Sequence, residues 1–137
     1  MNAAEIEQYI TSNLEYSTCT ENFGYKFFLY STDQMMPFVT LAESDNEYDS
    51  VSNLDREGVF RVNIGVRRNT FKKLFPSKDS EWDYTAINTF MPHPEYAAQN
   101  FICILSPEDD KIRDVTTFIH EAYSLAKERF EKKQKAV

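Results

Sequence analysis

The stretch MPHPEYAAQNFICILSP, from Met91 to Pro107, contains the most informative fold signals in this chain. It opens with a proline-braced polar loop, residues 92–96, and continues into FICIL, residues 101–105, the most continuous apolar segment of the sequence. A short apolar run bounded by turn residues is typical of a buried central strand. Ser106 and Pro107 then fit the N-cap and first position of a helix. One stretch therefore predicts a candidate site loop, a central strand and the start of the last helix.

Amphipathic helices are predicted at both ends of the chain. Apolar side chains recur at helical spacing in residues 3–16 and again after Ser106, where the stripe continues for five turns. We expect the tail, residues 131–137, to be frayed. The apolar faces consist of Ile6, Tyr9, Ile10 and Leu14 in the first helix and of Ile112, Val115, Ile119, Ala122, Ala126 and Phe130 in the last.

Three further segments have the composition of strands. Tyr25–Ser31 is rich in aromatic residues, and Phe38–Ala42 follows closely enough to form an antiparallel hairpin with it. Gly58–Val66 shows a clear alternation, with the apolar residues Phe60, Val62, Ile64 and Val66 on one face. The odd positions place Arg61 and Asn63 together on the opposite face, about 7 Å apart along the strand.

The connections between these elements are less regular. We predict an exposed acidic loop, a short helix capped by Asn69 or Thr70, a helical turn, and an optional additional strand. The acidic loop lacks the Gly and Glu of a calcium-binding helix-loop-helix. These segments are Glu43–Asn53, Thr70–Phe75, Ala86–Phe90 and Tyr96–Gln99, respectively.

The resulting order, α-β-β-β-α-β-α, predicts a single α+β domain over residues 1–137. Helices at the two ends and strands between them favour two layers, with a mostly antiparallel sheet packed against the N- and C-terminal helices. A length of 137 residues fits one compact domain with one hydrophobic core.

Charge is distributed unevenly along the chain. The net charge is −7, but residues 1–55 alone carry −9 and residues 56–137 carry +2. An acidic protein is poorly suited to general nucleic-acid binding, whose affinity comes mainly from neutralising phosphates. The basic segment Arg67–Lys78 keeps a DNA-binding accessory role as a second alternative.

The sequence also bears on the compartment and on cofactors. Cys19 and Cys103 match no metal or redox spacing, and two free thiols suit a reducing cytoplasm. We see neither a signal peptide nor an apolar run long enough to span a membrane. Isolated glycines give no phosphate-binding loop, so we expect no metal and no cofactor.

Several motifs in the same order resemble the YjbR/MmcQ-like superfamily of small bacterial α+β domains. The resemblance covers residues 35–130 and implies a frataxin-like sheet with terminal helices on one face. His93-Pro94 departs from the loop of many relatives, which makes His93 a feature of this branch with no role implied by the resemblance. The motifs are PFVTL (Pro37–Leu41), LDREGVFRVNIGV (Leu54–Val66), FKKLF (Phe71–Phe75), DYTA (Asp83–Ala86), MPHPEYAAQNFICIL (Met91–Leu105) and EAYSLAKERF (Glu121–Phe130).

The candidate site combines the proline-braced loop with the alternating strand. Arginine, amide and imidazole side chains together form a donor-rich surface that suits a carboxylate, phosphate or amide ligand. Asp55 and Asp83 are alternative structural partners for Arg61. The predicted ligand-binding residues are Arg61, Asn63, His93, Tyr96 and Gln99, with Asn100 beside them.

The sequence thus predicts a non-catalytic cytoplasmic binding module for a small polar or anionic ligand or for a protein partner. The first alternative is a small enzyme in which His93 serves as general acid or base, since histidine titrates near neutral pH. His93 is then the one candidate catalytic residue. We expect a monomer or a homodimer.

Overall fold

A computed structural model describes residues 1–77 and 80–135. The elements in chain order are α1 (Ala3–Asn13), β1 (Ser17–Asn22), β2 (Tyr25–Tyr30), β3 (Val39–Ala42), β4 (Arg61–Gly65), α2 (Arg68–Leu74), β5 (Met91–Pro92), a short 3₁₀ helix (Ala97–Gln99), β6 (Phe101–Leu105) and α3 (Asp109–Lys135).

The six strands form one antiparallel sheet in the order β1-β2-β3-β4-β6-β5. The helices α1 and α3 pack on one face of it. The α+β fold class and the β2–β3 hairpin are therefore confirmed. Of the helices in the described residues, none is long and apolar enough to cross a membrane.

The main core lies between the sheet and the helices. Val62 and Ile64 of β4 lie beside Ile104 and Ile102 of β6, as the alternation of β4 predicts, and all four are fully buried. They pack with the apolar stripes of α1 and α3. Every residue of β6 is buried, so the predicted central strand is confirmed. A smaller cluster on the other face contains Ala42, Leu54, Met91, Cys103 and Leu105.

The edge strand β1 was not predicted. Its sequence, STCTEN, is polar and mostly exposed, so it lacks the apolar alternation that marks a half-buried strand. It forms because the tight turn at Phe23 and Gly24, both with positive φ, pairs it residue by residue with β2. The turn itself was predicted correctly, but α1 ends at Asn13 to make room for the new strand.

Two predictions before β6 were wrong. Residues 86–90 are not a helical turn: Ile87 forms a bridge with Leu105, and the Asn88 N–H donates to the Leu105 carbonyl. The additional strand is Met91–Pro92, whereas residues 97–99 are helical. In both places the edge of β6 offered hydrogen-bond partners that local propensity does not register.

The predicted helix caps were also wrong. The N-cap of α2 is Arg67. Ser106 does not cap α3, because its hydroxyl accepts a hydrogen bond from Phe60 N–H and donates to the Gly58 carbonyl. Asn88 instead accepts from the N–H of Glu108, just before α3 begins. The predicted frayed tail is helical over residues 131–135, while residues 136 and 137 lie outside the described residues.

Candidate ligand-binding site

The sheet face turned away from the helices carries an open cleft of about 1090 Å³. Its floor consists of outward-facing side chains from β1, β2, β3, β4 and β6, which span about 19 Å at the usual strand spacing. Three loops, residues 31–37, 46–49 and 93–99, form its walls. The floor residues are Thr18, Thr20, Asn22, Tyr25, Phe27, Leu29, Thr40, Asn63 and Phe101.

Arg61 is not part of the lining but lies buried beneath it, with 0% of its surface exposed. Its Nε donates to Asn63 Oδ1 at 2.9 Å, its Nη1 to Ser52 Oγ at 2.9 Å, and its Nη2 to Asp49 Oδ2 at 2.5 Å. A buried guanidinium requires such compensation. Arg61 therefore holds Asn63 and Asp49 in place, and these two residues do face the cleft.

The acidic loop, Glu43–Asn53, was predicted to be exposed, and six of its eleven residues are, but the loop is anchored to the sheet at Asp49 and Ser52. Ser52 is fully buried, and the carboxylate of Asp49 also accepts a hydrogen bond from the Tyr25 hydroxyl. The loop is held against the sheet because the buried guanidinium of Arg61 is stabilised by the carboxylate of Asp49. The partner is Asp49, not Asp55 or Asp83, which were the two expected from sequence.

The Asp49–Arg61 pair is ionised at neutral pH. Burial raises the pKa of Asp49, but the hydrogen bonds from Arg61 and Tyr25 outweigh burial and leave the pKa below its usual value. Burial lowers the pKa of Arg61, and the Asp49 carboxylate more than reverses that effect. Burial and the bond to Asp49 raise the pKa of Tyr25, which stays protonated.

His93 is held by the loop that carries it. Its Nδ1 accepts hydrogen bonds from the N–H groups of Glu95 and Tyr96, each at 3.0 Å, and its ring packs against Tyr96 and Phe101. Burial, and then the charge of Arg61, lower the pKa of His93 to about 4. The imidazole is therefore neutral at pH 7, with its proton on Nε2.

The Nε2 of His93 is the ring nitrogen that has no hydrogen-bond partner among the described residues. Within residues 1–77 and 80–135, no side chain or backbone group accepts a hydrogen bond from it, yet no buried polar side-chain atom there lacks a partner. The nitrogen must therefore reach open space, and the open space beside His93 is the cleft. A side chain that is only 5% exposed thus presents one oriented donor.

The structure brings four of the five predicted site residues, Asn63, His93, Tyr96 and Gln99, into the lining of one cleft. Asn63 is fixed from both sides, since its Nδ2 donates to Thr40 Oγ1 at 2.9 Å. Asn100 lies outside the lining and ends the 3₁₀ helix with a positive φ. Asp55 and Asp83, the carboxylates considered from sequence as partners of Arg61, also lie outside it.

Sequence reasoning did not anticipate the apolar and acidic parts of the cleft. Phe23 and Tyr48 form one end and Met35 and Met36 line another part, although all four are largely exposed. The carboxylates in the lining belong to Asp33, Asp49 and Glu95. The signal in the sequence was the cluster of acids and apolar loop residues before position 55. Among the described residues, no group of three or more His, Cys, Asp or Glu could hold a metal ion.

Fold and cleft together define a small α+β domain with a ligand-sized cleft on the open face of its sheet. The chain matches, over residues 1–135, a family of unknown function, DUF6194, and it belongs to that family. A comparison with curated proteins returned no match.

Proposed function

We propose that this protein is a non-catalytic binding module whose small ligand occupies the cleft on the outer face of the sheet. The observation that carries the proposal is the polar group of Asn63 in the floor and His93, Tyr96 and Gln99 in the adjoining wall, where the buried His93 presents a fixed N–H donor. Apolar clefts with a few oriented polar groups are the usual form of small-molecule sites.

The alternative of an enzyme with His93 as general acid or base has less support. A general base works best when its pKa lies near the operating pH. The pKa of His93 is lowered to about 4, and the lone pair on Nδ1 already accepts two backbone N–H groups. These two constraints favour a role for His93 in hydrogen bonding to a ligand over a role in proton transfer.

The DNA-binding alternative is likewise less well supported. Arg67 pairs with Glu128, and its backbone N–H donates to Glu121, so acids of α3 offset part of the basic segment. Lys78 of that segment lies outside the described residues.

Two broader expectations remain part of the proposal. The free thiols of Cys19 and Cys103 support a location in the reducing cytoplasm. The motif resemblance supports placing this family near the YjbR/MmcQ-like superfamily, since an antiparallel sheet with terminal helices on one face is what that resemblance implies.

A fragment screen followed by amide chemical shifts tests the proposal. Fragments that bind should shift the amides of His93, Tyr96 and Gln99 together. Gln99→Ala should raise their Kd about threefold to tenfold, the value of one hydrogen bond. Gln134→Ala, at an exposed position near the end of α3, is the matched control. Fragments that shift only amides outside the cleft would contradict the proposal.

A further inference from the structure

We infer that the ligand of this cleft is an amphipathic organic cation: an apolar or aromatic body that carries an oxygen acceptor and a protonated amine. This inference rests on the proposed function and specifies the class of ligand. Three features of the lining support it, namely its charge, its apolar rim and the buried donor of His93.

The charge of the lining is negative. It contains three carboxylates, from Asp33, Asp49 and Glu95, and within the described part of the chain it contains no Lys or Arg. Arg61 compensates Asp49 from below, but Asp33 and Glu95 belong to none of the described ion pairs. A cleft lined by one sign of charge concentrates ligands of the opposite sign. An anionic ligand, one of the classes expected from sequence, would meet repulsion here.

The rim of the cleft is unusually apolar for an exposed surface. Five of the nine large hydrophobic side chains that are exposed in the described residues line it: Phe23, Met35, Met36, Tyr48 and Tyr96. Clustered exposure of this kind marks a binding surface. Phe27, Leu29 and Phe101 continue the apolar surface across the floor. Aromatic faces also attract cations, so the apolar body of the ligand and its protonated amine can both make favourable contacts with this surface.

His93 gives separate evidence that this acidic cleft is organised to bind a ligand. Its side chain is 5% exposed, and two backbone bonds to Nδ1 force the proton onto Nε2, which opens into the cleft. An oriented donor of this kind selects an acceptor such as an ether, hydroxyl or carbonyl oxygen. The ligand therefore needs an oxygen in addition to its amine.

Three matched probes test the sign of the charge: 3-(4-methoxyphenyl)propylamine, the corresponding propanol and the corresponding propanoate. Titration of the whole protein, followed by amide chemical shifts at neutral pH and low salt, gives each Kd. The amine should bind about tenfold tighter than the propanoate, with the propanol between them. The shifts should include the amides of His93 and Tyr96.

Two matched double variants test whether the carboxylates of the cleft cause the preference for the amine over the propanoate. In Asp33→Asn/Glu95→Gln the advantage of the amine over the propanoate should fall below about threefold. In Asp114→Asn/Glu131→Gln, which changes the net charge equally at exposed positions of α3, it should persist. Removal of the methoxy oxygen should weaken binding to the wild type but not to His93→Asn, whose shorter amide does not reach the position of Nε2.

The outcomes separate this inference from the proposed function. If the propanol or propanoate binds in the cleft as tightly as the amine, the inference is wrong and the binding function stands. The same holds if other fragments shift the cleft amides and the amine does not. If no fragment of any charge shifts them, both proposals fail.

Discussion

The Arg61 guanidinium lies 2.5 Å from the Asp49 carboxylate, and this contact fastens a long acidic loop onto the outer face of the sheet. Arg61 comes from β4 and Asp49 from the loop after β3, so the pair links segments that backbone pairing alone does not join. Because Asp49 also lines the cleft, the ion pair couples the stability of the domain to the shape of its candidate site.

Asp49→Asn should destabilise the protein by about 3–5 kcal/mol, because it leaves a fully buried guanidinium without its counter-charge. Urea denaturation at neutral pH gives the free energy of unfolding. Glu47→Gln is the matched control, since it removes an exposed carboxylate from the same loop. Similar losses in the two variants would show that the loop, and not the buried pair, determines the effect.

His93 should make the protein lose stability on acidification. Burial and the charge of Arg61 lower its pKa from 6.5 to about 4. Between these values the unfolded chain binds a proton that the folded chain does not. The free energy of unfolding therefore falls as the pH falls through this window, by about 3 kcal/mol in total.

Urea denaturation across this pH range in the wild type and in His93→Asn measures that contribution. The variant should show a shallower fall, because the asparagine oxygen can still accept a backbone N–H but does not titrate here. His120→Gln controls for removing an imidazole from an exposed position. An equally steep fall in His93→Asn would rule out the linkage.

The tautomer of His93 can be observed directly. Two N–H donors to Nδ1 leave only Nε2 to carry the proton of the neutral ring. Long-range ¹H–¹⁵N correlation spectra at neutral pH should therefore show a protonated Nε2 and an unprotonated, hydrogen-bonded Nδ1. A protonated Nδ1 would contradict both the loop geometry and the orientation of the donor in the cleft.

Two glycines provide a matched test of the β1–β2 turn. Gly24 and Gly58 both have positive φ, which costs a residue with a Cβ about 1–2 kcal/mol. A Cβ at Gly24 would also meet the Ser44 hydroxyl, whereas at Gly58 it would meet nothing within 4 Å. Thermal or urea unfolding should show that Gly24→Ala costs more than Gly58→Ala.

Repeating Gly24→Ala in a Ser44→Ala background separates the backbone strain at positive φ from the clash with the Ser44 hydroxyl. Without the hydroxyl, the cost of Gly24→Ala should fall to that of Gly58→Ala, since only the backbone strain remains. An unchanged cost would mean that Ser44 moves aside freely and that the clash contributes little.

Much of the fold could be predicted because its signals are local. The alternation of β4, the apolar run of β6 and the stripes of α1 and α3 each record one buried face. Strand β1 and the bridge at Ile87 could not be predicted in this way. Their polar or short sequences adopt extended structure only because a neighbouring strand offers hydrogen bonds.

The candidate site, like the fold, was predicted from the sequence only in part. Strand periodicity predicted that Arg61 and Asn63 share a face, and prolines marked the loop of His93 as rigid. Periodicity could not distinguish a side chain that lines a cleft from one buried beneath it. That distinction came from the acidic loop, which covers Arg61 and leaves Asn63 facing the cleft.

Local patterns in the chain were enough to predict the two layers, the central strand and four residues of the cleft, because periodic burial and turn chemistry are properties of short segments. The pairing of Asp49 with Arg61, the neutral state of His93 and the acidic and apolar character of the cleft could be recognised only in the folded protein. Those properties depend on burial and on charges that are distant in sequence, and both are fixed only once the chain has folded.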